Sequence, residues 1–318
     1  MRALGPARVA SPLFRADSVT RRFGDVTALS DLSVDLFPGA IGLVGPNGSG
    51  KTTLLRLLMG LIAPDSGTLT VLGHDPLREP LRVRELVGYM PEHDCLMPDL
   101  TGIGFVAHMG RVSGLPKETA MSRAHDVLEF VGLEEERYRR IHTYSVGMRQ
   151  RVKLAQALVH DPPLCFLDEP TSGLDPKGRE EMLGLLRTLA TTGHRSFVLS
   201  THLLPDADGL CDQVLLLNGG QLLVAGPVSE LLSARDRESV VRIKGDVDPF
   251  LAALVRRGLA PRYVDGAIHL ALPGGETRAV FEAAAETGAQ VRFLGQSVAT
   301  IEGLFLSKIQ AVSGGEAT

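Results

Sequence analysis

Eight residues constrain this chain more than any others. Gly45-Pro46-Asn47-Gly48-Ser49-Gly50-Lys51-Thr52 matches the pattern GxxxxGK[ST]. It stands between an apolar run, Ala40 to Val44, and a helix-forming stretch carrying Leu54, Leu55, Leu57 and Leu58. Strand, glycine loop and helix in that order make a phosphate-binding loop, which belongs to α/β architecture. Gly45, Gly48 and Gly50, with Asn47 and Ser49 between them, let successive backbone N–H groups turn toward one point. The helix N-terminus, Lys51 to Thr53, adds partial positive charge. In this reading Lys51 reaches the β- and γ-phosphates and the Thr52 hydroxyl ligates Mg²⁺.

A second cluster follows far downstream. Leu164-Cys165-Phe166-Leu167 is an apolar strand that ends in Asp168-Glu169. Acids at the C-terminal end of a buried strand lie at the ligand crevice of an α/β sheet. Asp168 would hold Mg²⁺, directly or through water, and Glu169 would polarise an attacking water as general base.

With 318 residues, about two domains are expected. Hydrophobic residues at 44% and charged residues at 22% exclude a disordered chain, and a net charge of −4 argues against a dedicated nucleic-acid binder. No stretch approaches the roughly 20 apolar residues that span a bilayer, and Met1 to Leu13 has no signal-peptide core. A cytoplasmic location is expected. Cys95, Cys165 and Cys211 form neither a disulfide framework nor a zinc pattern and read as small buried hydrophobes. The nine histidines show no ligand spacing, so no structural metal is expected.

Along the chain, residues 1–13 read as a flexible tail. Phe14 to Phe37 alternates with period two, Leu32, Val34 and Leu36 on one face, and Gly67 to Leu72 alternates again. Residues 98–160 are helix-forming, interrupted at Gly110, Gly114 to Pro116 and Gly132. Leu164 to Leu167 and Ser196 to Ser200 read as buried parallel strands, and Gln213 to Leu223 as a hairpin broken at Asn218-Gly219-Gly220. A boundary is predicted near Ser233 to Glu238. Beyond it the order βαββαβ predicts a small ferredoxin-like α+β domain over 239–318, closed by an amphipathic helix from Val298 to Gln310.

Tyr144-Ser145-Val146-Gly147-Met148 and the run Asp168-Glu169-Pro170-Thr171-Ser172-Gly173-Leu174-Asp175, placed after the glycine loop, resemble the ABC-type ATPases. The likeness is greatest to the separate ATP-binding subunits of bacterial exporters and covers residues 14–232. It implies a P-loop NTPase core with an antiparallel β subdomain and a helical subdomain at about 93–155. It implies ATP and Mg²⁺ as ligands. It places the signature at Tyr144 to Met148, where Ser145 and Gly147 face phosphate on a partner subunit. Asp175 takes the D-loop position, His202 the switch histidine, and Glu92 the Q-loop position beside Mg²⁺, where glutamine is usual. Phe23 stands where the family stacks an aromatic on adenine, with core packing as the competing role. Arg149 and Arg151 read as solvated or interface charges rather than arginine fingers.

The resemblance implies an ATPase that dimerises with itself or a paralogue and powers a separate transmembrane permease from the inner face of the membrane. The competing readings are a soluble ABC ATPase acting on ribosomes or nucleic acid, and, less well fitted, a P-loop kinase. One cassette, no heptad run and a mildly acidic balance weigh against the former, and the signature has no purpose in the latter.

Overall fold

The computed structural model describes residues 11–192, 195–233, 238–264, 266–272, 277–296 and 300–314. The chain divides into two compact units, Met1–Pro227 and Val228–Thr318.

In the first unit, β1 (Phe14–Phe23) and β2 (Val26–Leu36) form an antiparallel hairpin. After β3 (Ala40–Val44) and α1 (Lys51–Leu58) the chain returns with β4 (Ser66–Val71), which completes a three-stranded sheet in the order β2-β1-β4. Then come α2 (Pro80–Glu85), β5 (Val87–Met90), α3 (Gly102–Val112), α4 (Lys117–Phe130), two 3₁₀ turns and α5 (Val146–Leu158). The unit ends with β6 (Leu164–Asp168), α6 (Pro176–Thr191), β7 (Ser196–Thr201), α7 (Leu204–Ala207), β8 (Gln213–Asn218) and β9 (Gln221–Pro227).

The central sheet runs β5-β6-β7-β3-β8-β9, parallel except for β9. Strands β3, β6 and β7 are buried at every residue, as near-continuous apolar runs require of parallel strands covered on both faces. One core joins both sheets through Phe14, Leu29, Leu32, Ile41, Leu54, Leu58, Phe166 and Leu217.

The alternating run from Phe14 to Phe37 is two strands rather than one. Gly24, at φ +58°, turns the chain between Phe23 and Val26, which pair across the hairpin end. Leu13, assigned to the tail, is buried; its N–H donates to Leu36 O at 2.6 Å. The rest of the tail, residues 1–10, lies outside the described residues. Gly110 does not break α3: a Cβ there would come 3.2 Å from Val159 and 3.3 Å from Ala120, so the glycine serves close packing of helices. Gly114 and Gly132, at φ +95° and +70°, do end helices. Cys165 and Cys211 are buried, but Cys95 is exposed because it lies in the loop after β5.

The second unit begins at α8 (Val228–Ser233), a few residues before the expected edge at 232, and α8 contacts α11 (Ile301–Gly314). Between them lie β10 (Glu238–Lys244), α9 (Val247–Arg256), β11 (Arg262–Val264), β12 (Ala267–Ala271), α10 (Arg278–Thr287) and β13 (Gln290–Gln296). The antiparallel order β11-β12-β10-β13 puts the first strand between the third and the last, a βαββαβ unit whose core holds Val241, Phe250, Ile268 and Val280. Ile301, Leu304 and Phe305 of α11 are buried; Val298, placed in the same helix from sequence, lies outside the described residues.

Candidate functional site

The glycine loop joins the buried end of β3 to α1. Its shape requires glycine at two positions. A Cβ on Gly50, at φ +102°, would come 2.4 Å from Ala28 O, and one on Gly45 would come 2.2 Å from Leu217 O. Gly50 is also the N-cap of α1 and offers no side-chain acceptor, which leaves the N–H groups of the first turn for an anion. Ser49 Oγ is buried with no hydrogen-bond partner among the described residues. An orphaned buried hydroxyl costs about 1–3 kcal/mol, which a phosphate oxygen would offset.

Parallel pairing sets the acids beside this loop. β7 lies between β3 and β6, so the C-terminal ends of all three strands are adjacent. Lys51 Nζ donates to Gly45 O at 2.8 Å and to Pro46 O at 3.1 Å, and lies 3.9 Å from Glu169 Oε1. Thr52 Oγ1 donates to Asp168 Oδ2 at 3.2 Å, and Ser200 Oγ donates to Asp168 Oδ1 at 2.8 Å. His202 Nδ1 donates to Glu169 Oε2 at 2.9 Å. Glu169 takes φ +50°, unusual for a side-chain-bearing residue. The turn is held by its N–H to Ser200 O at 2.9 Å and by Ser172 N–H to its own carbonyl at 3.1 Å.

Lys51, Asp168 and Glu169 are all buried. Burial holds the Lys51 ammonium below its usual pKa, opposed by the charges of Glu169, Asp168 and Glu92. Burial raises the Asp168 carboxyl, opposed by hydrogen bonds from Ser200 and Thr52. It raises Glu169 as well, opposed by the His202 hydrogen bond and by the charges of His202 and Lys51.

A cleft of about 400 Å³ is lined by Asn47 to Thr53, Val26, Ala28, Glu92 and Glu169. Glu92 is exposed and stands at its rim. Phe23 does not line it and is half exposed, with the Arg21 guanidinium 4.7 Å from its ring centroid. Its exposure removes the core-packing alternative.

Ser145, Gly147 and Asp175 are brought together elsewhere, around a second cleft of about 490 Å³. Ser145 caps α5, accepting from Met148 N–H at 3.3 Å, and Asp175 caps α6, accepting from Gly178 N–H at 3.0 Å. Tyr144 is a packing residue, buried with its hydroxyl donating to Glu136 O at 2.7 Å. Arg151 pairs at 2.6 Å with Glu181 on α6, both lining this cleft, and Arg149 donates to Tyr144 O at 2.8 Å.

Three participants were missed in the sequence. Ser200 was read as part of a strand, although a hydroxyl closing an apolar run beside an acidic strand end is a detectable signal. Asp206, fully buried, accepts from Thr171 Oγ1 at 2.6 Å and from Arg179 Nε at 2.5 Å, tying the segment after Glu169 to the segment after His202. Lys153, buried on α5, donates to Glu92 O at 2.8 Å.

Residues 29–172 match the family described as ABC transporter. The chain is 36% identical over 252 residues to the Nod factor export ATP-binding protein I of Ralstonia nicotianae (strain ATCC BAA-1114 / GMI1000), spanning 79% of this chain and 78% of that protein. It belongs to the ATP-binding subunits of ABC transporters.

The ABC chain is also 44% identical over 191 residues to the uncharacterized ABC transporter ATP-binding protein YxlF of Bacillus subtilis (strain 168). That match spans 60% of this chain and 62% of the relative. A solved ATP-binding subunit of an ABC transporter superposes with a TM-score of 0.62 at 26% identity, covering 70% of this chain and 92% of that one. The ABC domain is an ATPase domain, and the glycine loop lies within its matched residues. No helix among the described residues is long and apolar enough to cross a membrane.

Proposed function

We propose that this chain hydrolyses ATP to power a membrane exporter, closing as a dimer on nucleotide while bound to a separate transmembrane permease. The observation that carries the reading is the convergence of Lys51, Thr52, Asp168, Glu169 and His202 at the ends of three adjacent parallel strands.

The donor set fits Mg²⁺. Thr52 and Asp168 offer hard oxygen ligands, and no group of three or more His, Cys, Asp or Glu among the described residues could hold a metal alone. Mg²⁺ bound through one carboxylate and substrate phosphates matches that arrangement. Thr52 and Asp168 would hold the ion, with Glu92 at the rim, and it would neutralise charge on the phosphate oxygens.

The chain's own residues do the rest. The loop N–H groups and Lys51 bind and orient the β- and γ-phosphates. Glu169 takes a proton from the attacking water, and His202, bonded to the same carboxylate, keeps it aimed and contacts the γ-phosphate. Ser145 and Gly147 line a cleft that shares no lining residue with the phosphate loop, so they would act on the nucleotide of a partner. Head-to-tail closure of two chains then makes two equivalent sites. Phe23, exposed near the hairpin end, would stack on adenine.

Export is supported by the similarity to a Nod factor export subunit, and it implies work at the inner face of the cell membrane. The test is purification from native membranes in mild detergent. A stoichiometric multi-span protein, with ATP hydrolysis in the complex, is the expected result. Recovery with ribosomes or nucleic acid, and no membrane partner, would overturn it.

A further inference from the structure

The loop after β5 carries Glu92 to the rim of the phosphate cleft, yet no main-chain to main-chain hydrogen bond holds residues 92–96 among the described residues. Side chains from α5 hold it instead. Lys153 Nζ donates to Glu92 O at 2.8 Å, Arg149 Nε lies 3.6 Å from Asp94 Oδ2, and Cys95 Sγ donates to Gln156 Oε1 at 3.5 Å. Positions 149, 153 and 156 are spaced i, i+4, i+7, one face of a helix. The central one is itself buried, where a methionine would avoid the cost of burying an ammonium. Burial holds the Lys153 ammonium below its usual pKa, opposed by the charges of Asp94, Glu92 and Asp168.

We infer that Lys153 is a positioning residue: through the Glu92 carbonyl it fixes the rim carboxylate relative to the phosphate loop. This deepens the proposed function and rests on it. The same helix is capped by Ser145 at the second cleft. Lys153 therefore ties the rim of one cleft to the helix that begins at the other. Such supporting contacts around a metal or phosphate site typically change activity about 10- to 100-fold when removed.

The test uses the full chain with MgATP and, separately, the rate at which a thiol reagent labels Cys95, in the same loop, without nucleotide or metal. Lys153→Met should lower kcat about tenfold with KM for ATP within about twofold, and should speed labelling of Cys95 severalfold while Cys165 and Cys211 stay unlabelled. In a Glu92→Ala background the same substitution should lower kcat less than twofold, because a residue acting through Glu92 has nothing left to position. Lys153→Gln, with an N–H donor on a shorter stem, should fall between the parent and Lys153→Met. Unchanged kcat and Cys95 labelling would overturn the assignment. So would a kcat loss equally large in the Glu92→Ala background, or labelling of the buried Cys165 and Cys211, which reports a loosened core. A Lys51→Ala control that abolishes turnover keeps the ATPase reading intact whichever way Lys153 falls.

Discussion

Replacing Glu169 with glutamine removes one charge from the site and little else. The side chain is buried; Oε2 accepts from His202 at 2.9 Å and Oε1 lies 3.9 Å from Lys51. Glutamine keeps the shape and can still meet His202, but it cannot accept a proton from water. Loss of a positioned general base costs about 10²- to 10⁴-fold in rate. At about 1.4 kcal/mol per decade, that is about 3 to 6 kcal/mol of barrier. MgATP binding should persist, since Lys51, Thr52 and the loop N–H groups are untouched, and an ATP-dependent dimer should accumulate.

Stability should move the other way. Burial, the largest influence on the Glu169 carboxyl, raises its pKa above the unfolded value. Its contribution to stability is therefore present in acid and is lost as pH rises from the ordinary carboxylate range through the raised value. Glu169→Gln should melt above the parent at neutral pH, with the gap closing in acid. Phosphate release measures the first effect and thermal unfolding across pH the second. Hydrolysis within about threefold of the parental rate would refute the general-base assignment, and a parent more stable at pH 7 would refute the burial argument.

Other outcomes follow from the same geometry. Lys51→Ala should weaken ATP binding at least about tenfold by removing the cleft's buried cation, read by titration with a fluorescent nucleotide. Asp206→Ala should cost about 3 kcal/mol in urea unfolding, because it strands the Thr171 hydroxyl and the Arg179 guanidinium. Gly50→Ala should abolish nucleotide binding, since the methyl would meet Ala28 O and the residue must hold φ +102°. A thiol reagent applied to the folded chain should modify Cys95 before Cys165 and Cys211: burial raises all three thiols, Cys165 to about 12, but of the three only Cys95 is exposed.

The phosphate loop was legible in sequence because part of what it requires is local: Gly50 must hold a left-handed backbone and Lys51 must open a helix. The buried strands were legible because both faces are covered, so their apolar runs are unbroken. The hairpin turn at Gly24 was hidden by alternation that continues through it. Gly110 looked like a break because its purpose, the approach of Ala120 and Val159, lies across the tertiary fold. Lys153 and Asp206 were invisible for the same reason. A lone lysine in an apolar helix and an acid after a strand reveal nothing until the carbonyl or hydroxyl they meet is brought to them from elsewhere in the chain.

The two clefts share no lining residue, and this has a genetic consequence. Under head-to-tail closure, each working centre draws its loop from one copy and its serine-capped helix from the other. A Lys51→Ala allele and an allele broken at Ser145 would each be null alone. Expressed together in one cell, they would pair half the time as unlike copies. Each such pair would hold one doubly damaged centre and one wholly intact one, so two dead genes would restore partial transport.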